Sequence, residues 1–388
     1  MDIITISPLD GLQSYVNLMA YNASQELVGT SEFNLYSDAQ LIGTLNDGLP
    51  FSFLNLVPGY ATFGNIRPAA VLRVNWYAEA ADLPKISFTH TSDQEYHAGT
   101  MQDELAALAS LRLGVRLKAG SEVRSFGWND HDPMGTPQPE RTAIPSVQQG
   151  TLQPIAPFVL QPAQLCDLKI LNRLKSLSRE KYSSLVKSAR LFQDALWILE
   201  SAPEQAWLML TSALETAAVF HQTGKLKSVD AFKVAQPEIT EFIKENSSNK
   251  VFSEIAKALG GSQKATKKFL DFTALFKPEP PEKRPYERFQ LDFSERHFSD
   301  TMKAIYKYRS LALHDGKPFP APMCSPPFQH QEWDAPAEVG TIGLSMSTQG
   351  ATWASKDLPI CLNFFVYIVQ ATLNNWWTSM VDKETCSA

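Results

Sequence analysis

Two residues near the end of a helical stretch can carry phosphate chemistry: Arg309 and His314, which four residues separate. Histidine accepts and donates protons near neutral pH, so it can serve as a general acid or base. A guanidinium can hold an anionic phosphate through two parallel hydrogen bonds. The pair therefore suits cleavage of a phosphodiester, in which protons move and negative charge gathers around phosphorus.

These residues lie on a helix predicted over residues 294–314, where apolar residues recur every three or four positions. Arg309 falls at the centre of the apolar stripe, so we expect it to be paired or to face a groove. His314 lies about 140° further round an ideal helix, so the two do not share a face by simple geometry. Glu215, on another predicted helix, is the carboxylate that we expect to pair with Arg309.

At this motif the sequence resembles the HEPN family, whose helical domains carry an Arg-x4-6-His signature near the end of a long helix. The stretch 207–220, WLMLTSALETAAVF, is also similar to an early helix of abortive-infection-type HEPN proteins. The resemblance covers about residues 165–382. It implies a metal-independent endoribonuclease that acts as a homodimer, with two motifs meeting across an interface, and it implies that His314 is the acid or base and Arg309 the phosphate stabiliser.

The same resemblance implies the remaining expectations about the site. The substrate is RNA, no cofactor and no metal is required, and the biological context is antiviral defence or a toxin. Ser310, where many family members have the larger asparagine, and Glu215 are expected to support the catalytic pair. Independently of the resemblance, charge indicates lysines that could bind RNA, namely Lys264, Lys267, Lys268, Lys307 and Lys317. For Lys264, Lys267 and Lys268 a solvated helix face is the favoured alternative.

Two other interpretations remain open. In the first, Arg309 and Glu215 form a structural ion pair and His314 only caps a helix end, where the helix dipole favours a cation. The protein would then be a non-catalytic HEPN scaffold that binds nucleotide or dimerises. In the second, the first half is the enzyme and holds a metal at His97 or His131, which stand near other acids and histidines without a recognised ligand spacing.

The chain divides into stretches of different pattern. Residues 1–150 predict an α+β domain, with strands at 70–77 and 85–90 and a helix at 101–113. Residues 151–163 belong to a proline-rich stretch that we interpret as a linker. Residues 164–382 predict an all-α, HEPN-like helical bundle. We expect a regulatory ligand or protein to bind the N-terminal domain.

Two helix boundaries are predicted from local signals. Ser201 with Glu204 has the spacing of a capping box that starts the next helix. Gly260-Gly261-Ser262 is interpreted as a boundary between helices at 237–259 and 262–276. A phosphate site at that helix start is the less favoured alternative, because the Walker pattern is absent.

Composition limits the function classes. The 35 Lys and Arg residues against 41 Asp and Glu give a net charge of −6, which excludes a generally basic, histone-like protein. Residues 160–320 nevertheless contain 25 basic and 19 acidic side chains, so this part can meet a phosphate backbone.

Cysteines and apolar segments indicate the compartment. Four widely separated cysteines predict neither a zinc site nor a disulfide framework, which favours a reducing compartment. The start of the sequence lacks a signal-peptide pattern. The apolar stretch 358–377 is interrupted by polar residues and is predicted to be a buried helix rather than a membrane span. We therefore expect a cytoplasmic protein.

Overall fold

The structure is a computed structural model of the 388-residue chain. It describes residues 12–56, 63–78, 89, 91, 93–127, 133–148, 153–222, 229, 232–233, 237–348 and 350–385, excluding the side chains of 237, 257–264 and 383–385. Two compact units are present, one formed by residues 1–206 with 376–388 and the other by residues 207–375. The domain limits predicted at residues 150 and 163 lie within the first unit, and the division of roles between domains stays a prediction.

A sheet of six antiparallel strands organises the described part of the first unit. The strands of this unit are β1 (Gly29–Ser37), β2 (Leu41–Ile42), β3 (Thr44–Leu45), β4 (Phe51–Asn55), β5 (Arg67–Trp76), β6 (Lys118–Gly127), β7 (Thr136–Pro137) and β8 (Ala163–Gln164). The sheet order is β3-β4-β5-β1-β6-β7. Side chains alternate between the two faces, so Phe33, Phe53 and Leu72 form one buried cross-strand row. The strand predicted at 70–77 is confirmed, whereas the one at 85–90 lies outside the described residues.

Helices cover the apolar side of this sheet. They are α1 (Gln13–Asn22), α2 (Met101–Leu113) and α3 (Arg179–Ile198); α2 packs directly on β6, and α1 and α3 pack against α2. The predicted bounds of α2 are confirmed. Thr100 and Asp103 form a capping box at its start, and Gly114, with a φ of 69°, ends it in the left-handed conformation that glycine adopts without strain. The α+β prediction for the N-terminal half is therefore confirmed.

The proline-rich stretch and the residues after it pack within the first unit. Ile155 and Val159 are buried, and β8 pairs in parallel with β2. The 3-10 helical segment Leu165–Ser176 follows, and leucines at every third position, Leu165, Leu168, Leu171 and Leu174, are fully buried along it. A spacing of three matches the three residues per turn of a 3-10 helix, so these leucines form one continuous stripe.

The second unit is mainly helical. It contains residues 207–221 of α4 (Pro203–His221), then α5 (Pro237–Asn246), α6 (Asn249–Leu275), α7 (Glu295–His314) and residues 362–375 of α8 (Leu362–Thr385). The prediction of a long helix ending at His314 is confirmed. Gly316 follows it with a φ of 62°.

Two local predictions are wrong. Helix α6 runs without a break through Gly260-Gly261-Ser262, so no helix begins there; the break falls at residues 247–248, where Ser248 accepts a hydrogen bond from the Val251 amide. Each glycine costs a helix only about 1 kcal/mol relative to alanine, which the flanking turns can absorb. The Ser201 hydroxyl donates to the Ile198 carbonyl at the end of α3, so it does not cap α4.

The description of the C-terminal half as all-α is also corrected. Strands β9 (Ser345–Thr348) and β10 (Ala351–Ala354) form an antiparallel hairpin in the second unit. Gly350, with a φ of 77°, occupies the turn, where that backbone conformation favours glycine. The helical character of the region is confirmed, whereas an HEPN-like arrangement of the bundle stays a prediction.

The apolar C-terminal stretch forms α8 and buries most of its large side chains. Phe365, Ile368 and Trp377 are fully buried. Among the helices of the described residues, none combines the length and the apolar character that crossing a bilayer requires.

Candidate functional site

Arg309 is held by an acid on the neighbouring helix. Its Nη2 lies 2.8 Å from Oε2 of Glu215 in α4, and the hydroxyl of Tyr306 donates to Oε1 of the same carboxylate at 2.9 Å. The Arg309 and Glu215 side chains are 21% and 16% exposed, so the pair lies at the edge of the core. The predicted pairing of Arg309 with Glu215 is therefore present.

Tyr306 completes this arrangement from one turn below Arg309 on α7. The Arg309 guanidinium carbon lies 5.5 Å from the centre of the Tyr306 ring, and Phe269 of α6 packs on that ring. Burial, followed by the negative charge of Glu215, raises the pKa of Tyr306 to about 12. The hydroxyl therefore stays protonated at neutral pH and remains a donor to Glu215.

The Arg309 guanidinium keeps unused hydrogen-bonding capacity. Its Nε is buried, and within the described residues it has no hydrogen-bond partner. The contact with Glu215 uses only Nη2. An arginine whose direction is fixed by one carboxylate while other donors stay unused can add a second anionic partner.

His314 lies on a different side of the same helix. It is the last residue of α7 and is exposed, whereas Met302, Ile305 and Tyr306 on the inner side are buried. At about 100° per residue, His314 falls within about 40° of Lys303, Lys307 and Ser310, and about 140° from Arg309. The structure thus places His314 and Ser310 on the outer face and Arg309 towards the inner one.

The predicted RNA-binding lysines differ in their surroundings. Lys307 and Lys317 are exposed near His314 in the chain, but Lys267 of α6 forms an ion pair with Asp271, one turn further along, at 2.8 Å. Lys268 is half-buried, and the side chain of Lys264 lies outside the described residues. Because Lys267 already has a carboxylate partner, it offers less charge to a phosphate than the exposed lysines of α7.

The residues weighed as metal ligands have other partners where the structure describes them. Nε2 of His97 lies 3.1 Å from Oε1 of Glu104, with both side chains buried, and Asp103 caps α2. The described residues contain no group of three or more His, Cys, Asp or Glu side chains placed to hold a metal ion. His90 and the stretch 129–132, which includes His131, lie outside the described residues.

Sequence reasoning missed two members of this region. Tyr306 was not assigned a role, although a residue three positions before Arg309 shares its helical face. Lys303 was also missed, and the signal for it was available: it stands four residues before Lys307 and eleven before His314, which aligns all three.

Comparison of the chain with protein-family models, with curated proteins and with solved structures finds no match. The likeness to the HEPN family accordingly depends on the motif residues and their helical setting alone.

Proposed function

We propose that the helical second unit is a metal-independent endoribonuclease that uses Arg309 and His314. The observation that supports it most is the partly exposed Arg309 guanidinium, which Glu215 orients through Nη2 alone. Such a preorganised cation can stabilise charge that develops on a phosphate without first reorganising.

The chemistry follows from the two residue types. The ribose 2′-oxygen attacks the adjacent phosphorus and the bond to the 5′-oxygen breaks, which leaves a 2′,3′-cyclic phosphate and a 5′-hydroxyl. One proton must leave the 2′-hydroxyl and one must reach the 5′-oxygen, and an exposed histidine can move either. Arg309 holds the phosphate oxygens while negative charge accumulates there.

A homodimer accounts for the different directions of the two residues. Because Arg309 and His314 point about 140° apart on one helix, a second copy can supply the missing partner at each site. Lys303 and Lys307 lie on the His314 face and would contact the RNA backbone. A role in defence or as a toxin, with regulation through the N-terminal half, belongs to the same proposal and comes from the family resemblance.

A non-catalytic scaffold is the second candidate, and the ion pair itself favours it. Glu215 neutralises the charge of Arg309 and Tyr306 completes the carboxylate's hydrogen bonding, which is also how a structural bridge is built. In that case the unit would bind a nucleotide or a second copy without cleaving RNA.

Cleavage of labelled RNA by the full chain in EDTA separates the two candidates. We expect cleavage by the wild type, products ending in a cyclic phosphate, and loss of activity in His314→Ala. His297→Ala is the matched control, because His297 is an exposed histidine at the other end of the same helix. No cleavage by the wild type would favour the scaffold, and equal cleavage by the His314→Ala and wild-type proteins would contradict a catalytic role for His314.

Mixing two inactive variants tests the composite site. His314→Ala supplies an intact Arg309, and Arg309→Gln supplies an intact His314, so a mixed dimer contains one complete site. Partial recovery of cleavage on mixing supports a site shared between copies. Absence of recovery, with mixed dimers demonstrated by differential tagging, contradicts it.

A further inference from the structure

The side of the six-stranded sheet opposite the buried row carries a cavity of about 350 Å³. The residues that line it alternate with the core-facing ones along β1, β4 and β5. The strand register pairs Thr30 with Asn75 and Ser52 with Arg73, so regular strands fix the positions of these side chains. We refer to this cavity, lined by Thr30, Asn46, Ser52, Leu54, Arg73, Asn75, Phe126 and Pro133, as the sheet pocket.

Two hydroxyl groups orient the side-chain amides of the sheet pocket and determine which of their hydrogen-bonding groups face a ligand. The Thr30 hydroxyl donates to Oδ1 of Asn75 at 2.8 Å, and the Ser52 hydroxyl donates to Oδ1 of Asn46 at 2.9 Å. Each amide oxygen thus already accepts one hydrogen bond. Neither amide nitrogen has a hydrogen-bond partner within the described residues, so each amide contributes N–H donors.

Arg73 adds a positive charge to the pocket, beside these amide donors. Its Nε and Nη2 both contact Oε1 of Glu32, at 2.8 Å and 2.5 Å, which leaves Nη1 without a partner in the described part of the chain. Arg124 is the register partner of Glu32 on β6, so these three paired strand positions carry two arginines and one carboxylate. The pocket surroundings therefore favour a negatively charged, hydrogen-bond-accepting ligand.

The remaining lining is apolar. Phe126 and Leu54 provide an aromatic ring and an aliphatic side chain, and the Arg73 guanidinium carbon lies 5.6 Å from the centre of the Phe126 ring. Ligand pockets commonly combine such an apolar surface with a few convergent polar groups, at volumes of about 300–1,000 Å³. A free inorganic ion would leave the apolar part of this pocket unused.

We propose that the sheet pocket binds a small organic anion. An oxyanion, carboxylate or phosphate, accepts hydrogen bonds from Asn46, Asn75 and Arg73, and an apolar or aromatic body lies against Phe126 and Leu54. This site lies in the first unit and does not depend on the ribonuclease proposal. It would be a site for the regulatory ligand expected at the N-terminal half.

Calorimetric titration of the full chain tests this proposal with four probes. Adenosine 5′-monophosphate and benzoate each join an oxyanion to a ring. Inorganic phosphate has the oxyanion without a ring, and adenosine has the ring without an oxyanion. We expect saturable binding of at least one of the first two probes, weaker binding of phosphate and none of adenosine. No binding of either ring-bearing anion at millimolar concentration, or equal binding of adenosine and its monophosphate, overturns the proposal.

Isosteric variants test the role of the donors. Asn75→Asp keeps an oxygen that accepts from Thr30 but replaces the N–H donors by a negative charge, so affinity should fall about tenfold or more. Asn55→Asp is the matched control, because Asn55 is exposed on β4 and does not line the pocket. Glu32→Gln should strengthen binding, since it releases Arg73 from its carboxylate partner.

Two outcomes with these variants would contradict the proposal. Equal affinities of the Asn75→Asp and Asn55→Asp proteins, or weaker binding after Glu32→Gln, contradict an anion site at these residues. If Asn75→Asp lowers the unfolding temperature, Asn46→Asp provides the same test at an exposed position, where the Ser52 hydroxyl keeps an acceptor.

Discussion

Replacing Arg116 by methionine should destabilise the first unit more than the loss of any exposed ion pair in that unit would. The Arg116 guanidinium is fully buried and donates to Asp38 at 2.7 Å, to Glu200 at 2.8 Å and to the carbonyl of Leu196 at 2.9 Å. Its removal leaves two buried carboxylates without their cation. Breaking a buried pair in this way costs about 3–5 kcal/mol.

That cost converts to a measurable shift in unfolding temperature. For a unit of about 200 residues, 1 kcal/mol lowers Tm by about 2–4 °C, so Arg116→Met should lower it by roughly 6–20 °C. Arg173→Met is the control, because Arg173 and its partner Asp382 are each about half exposed and such pairs contribute about 0–1 kcal/mol. Circular dichroism during heating of the full-length variants measures both shifts.

The reasoning fails if Arg116→Met lowers Tm no more than Arg173→Met does. A further variant distinguishes charge from packing. Adding Asp38→Asn and Glu200→Gln to Arg116→Met removes the uncompensated carboxylates, so part of the lost stability should return. A combined variant that is no more stable than Arg116→Met would show that the loss comes from packing instead.

Three further perturbations have defined outcomes. Burial lowers the pKa of His97, but Glu104 outweighs it and holds that pKa above 6.5. This raised pKa gives the wild type a stabilisation that is complete below pH 6.5 and is lost as the pH rises through the raised pKa. A profile of Tm against pH that is the same for His97→Gln and the wild type would refute this stabilisation. Tyr306→Phe removes a donor to Glu215 and should cost about 1–3 kcal/mol in urea unfolding; an unchanged midpoint would contradict the contact. Gly316→Ala meets no atom within 4 Å but has a φ of 62°, so backbone strain alone should cost about 1–2 kcal/mol, and an unchanged Tm would exclude such strain.

Periodicity in the sequence was sufficient to predict several helices of the fold. Helices α2 and α7 were predicted because their apolar residues repeat every three or four positions and their ends carry recognisable residues. The stripe of leucines in the segment Leu165–Ser176 was not identified as a 3-10 helix, since a spacing of three occurs in both helix types over a single turn. The error at Gly260 arose because a local signal was weighed without the turns on either side.

Long-range pairs could not be predicted in the same way. Arg116, Asp38 and Glu200 come from three distant parts of the sequence, and the folded first unit brings their side chains together. The Arg309–Glu215 pair was predictable because an arginine in an apolar stripe requires a partner and one acid stood in an apolar helix. The spacing of three residues places Tyr306 on the helical face of Arg309, but it does not indicate that both side chains would bind one carboxylate.

The positions of the two motif residues determine how variants of each must be interpreted. Arg309 is bonded to Glu215 at the edge of the core, so its replacement removes a charge-assisted hydrogen bond worth about 1.5–3 kcal/mol as well as any catalytic contribution. His314 is exposed at the end of its helix, so His314→Ala should change the free energy of unfolding by less than about 0.5 kcal/mol. Lost cleavage in an Arg309 variant is therefore compatible with both a catalytic and a purely structural role of Arg309. Lost cleavage in a fully folded His314→Ala protein has no such structural explanation, so His314 is the residue whose replacement tests the catalytic role of the motif most directly.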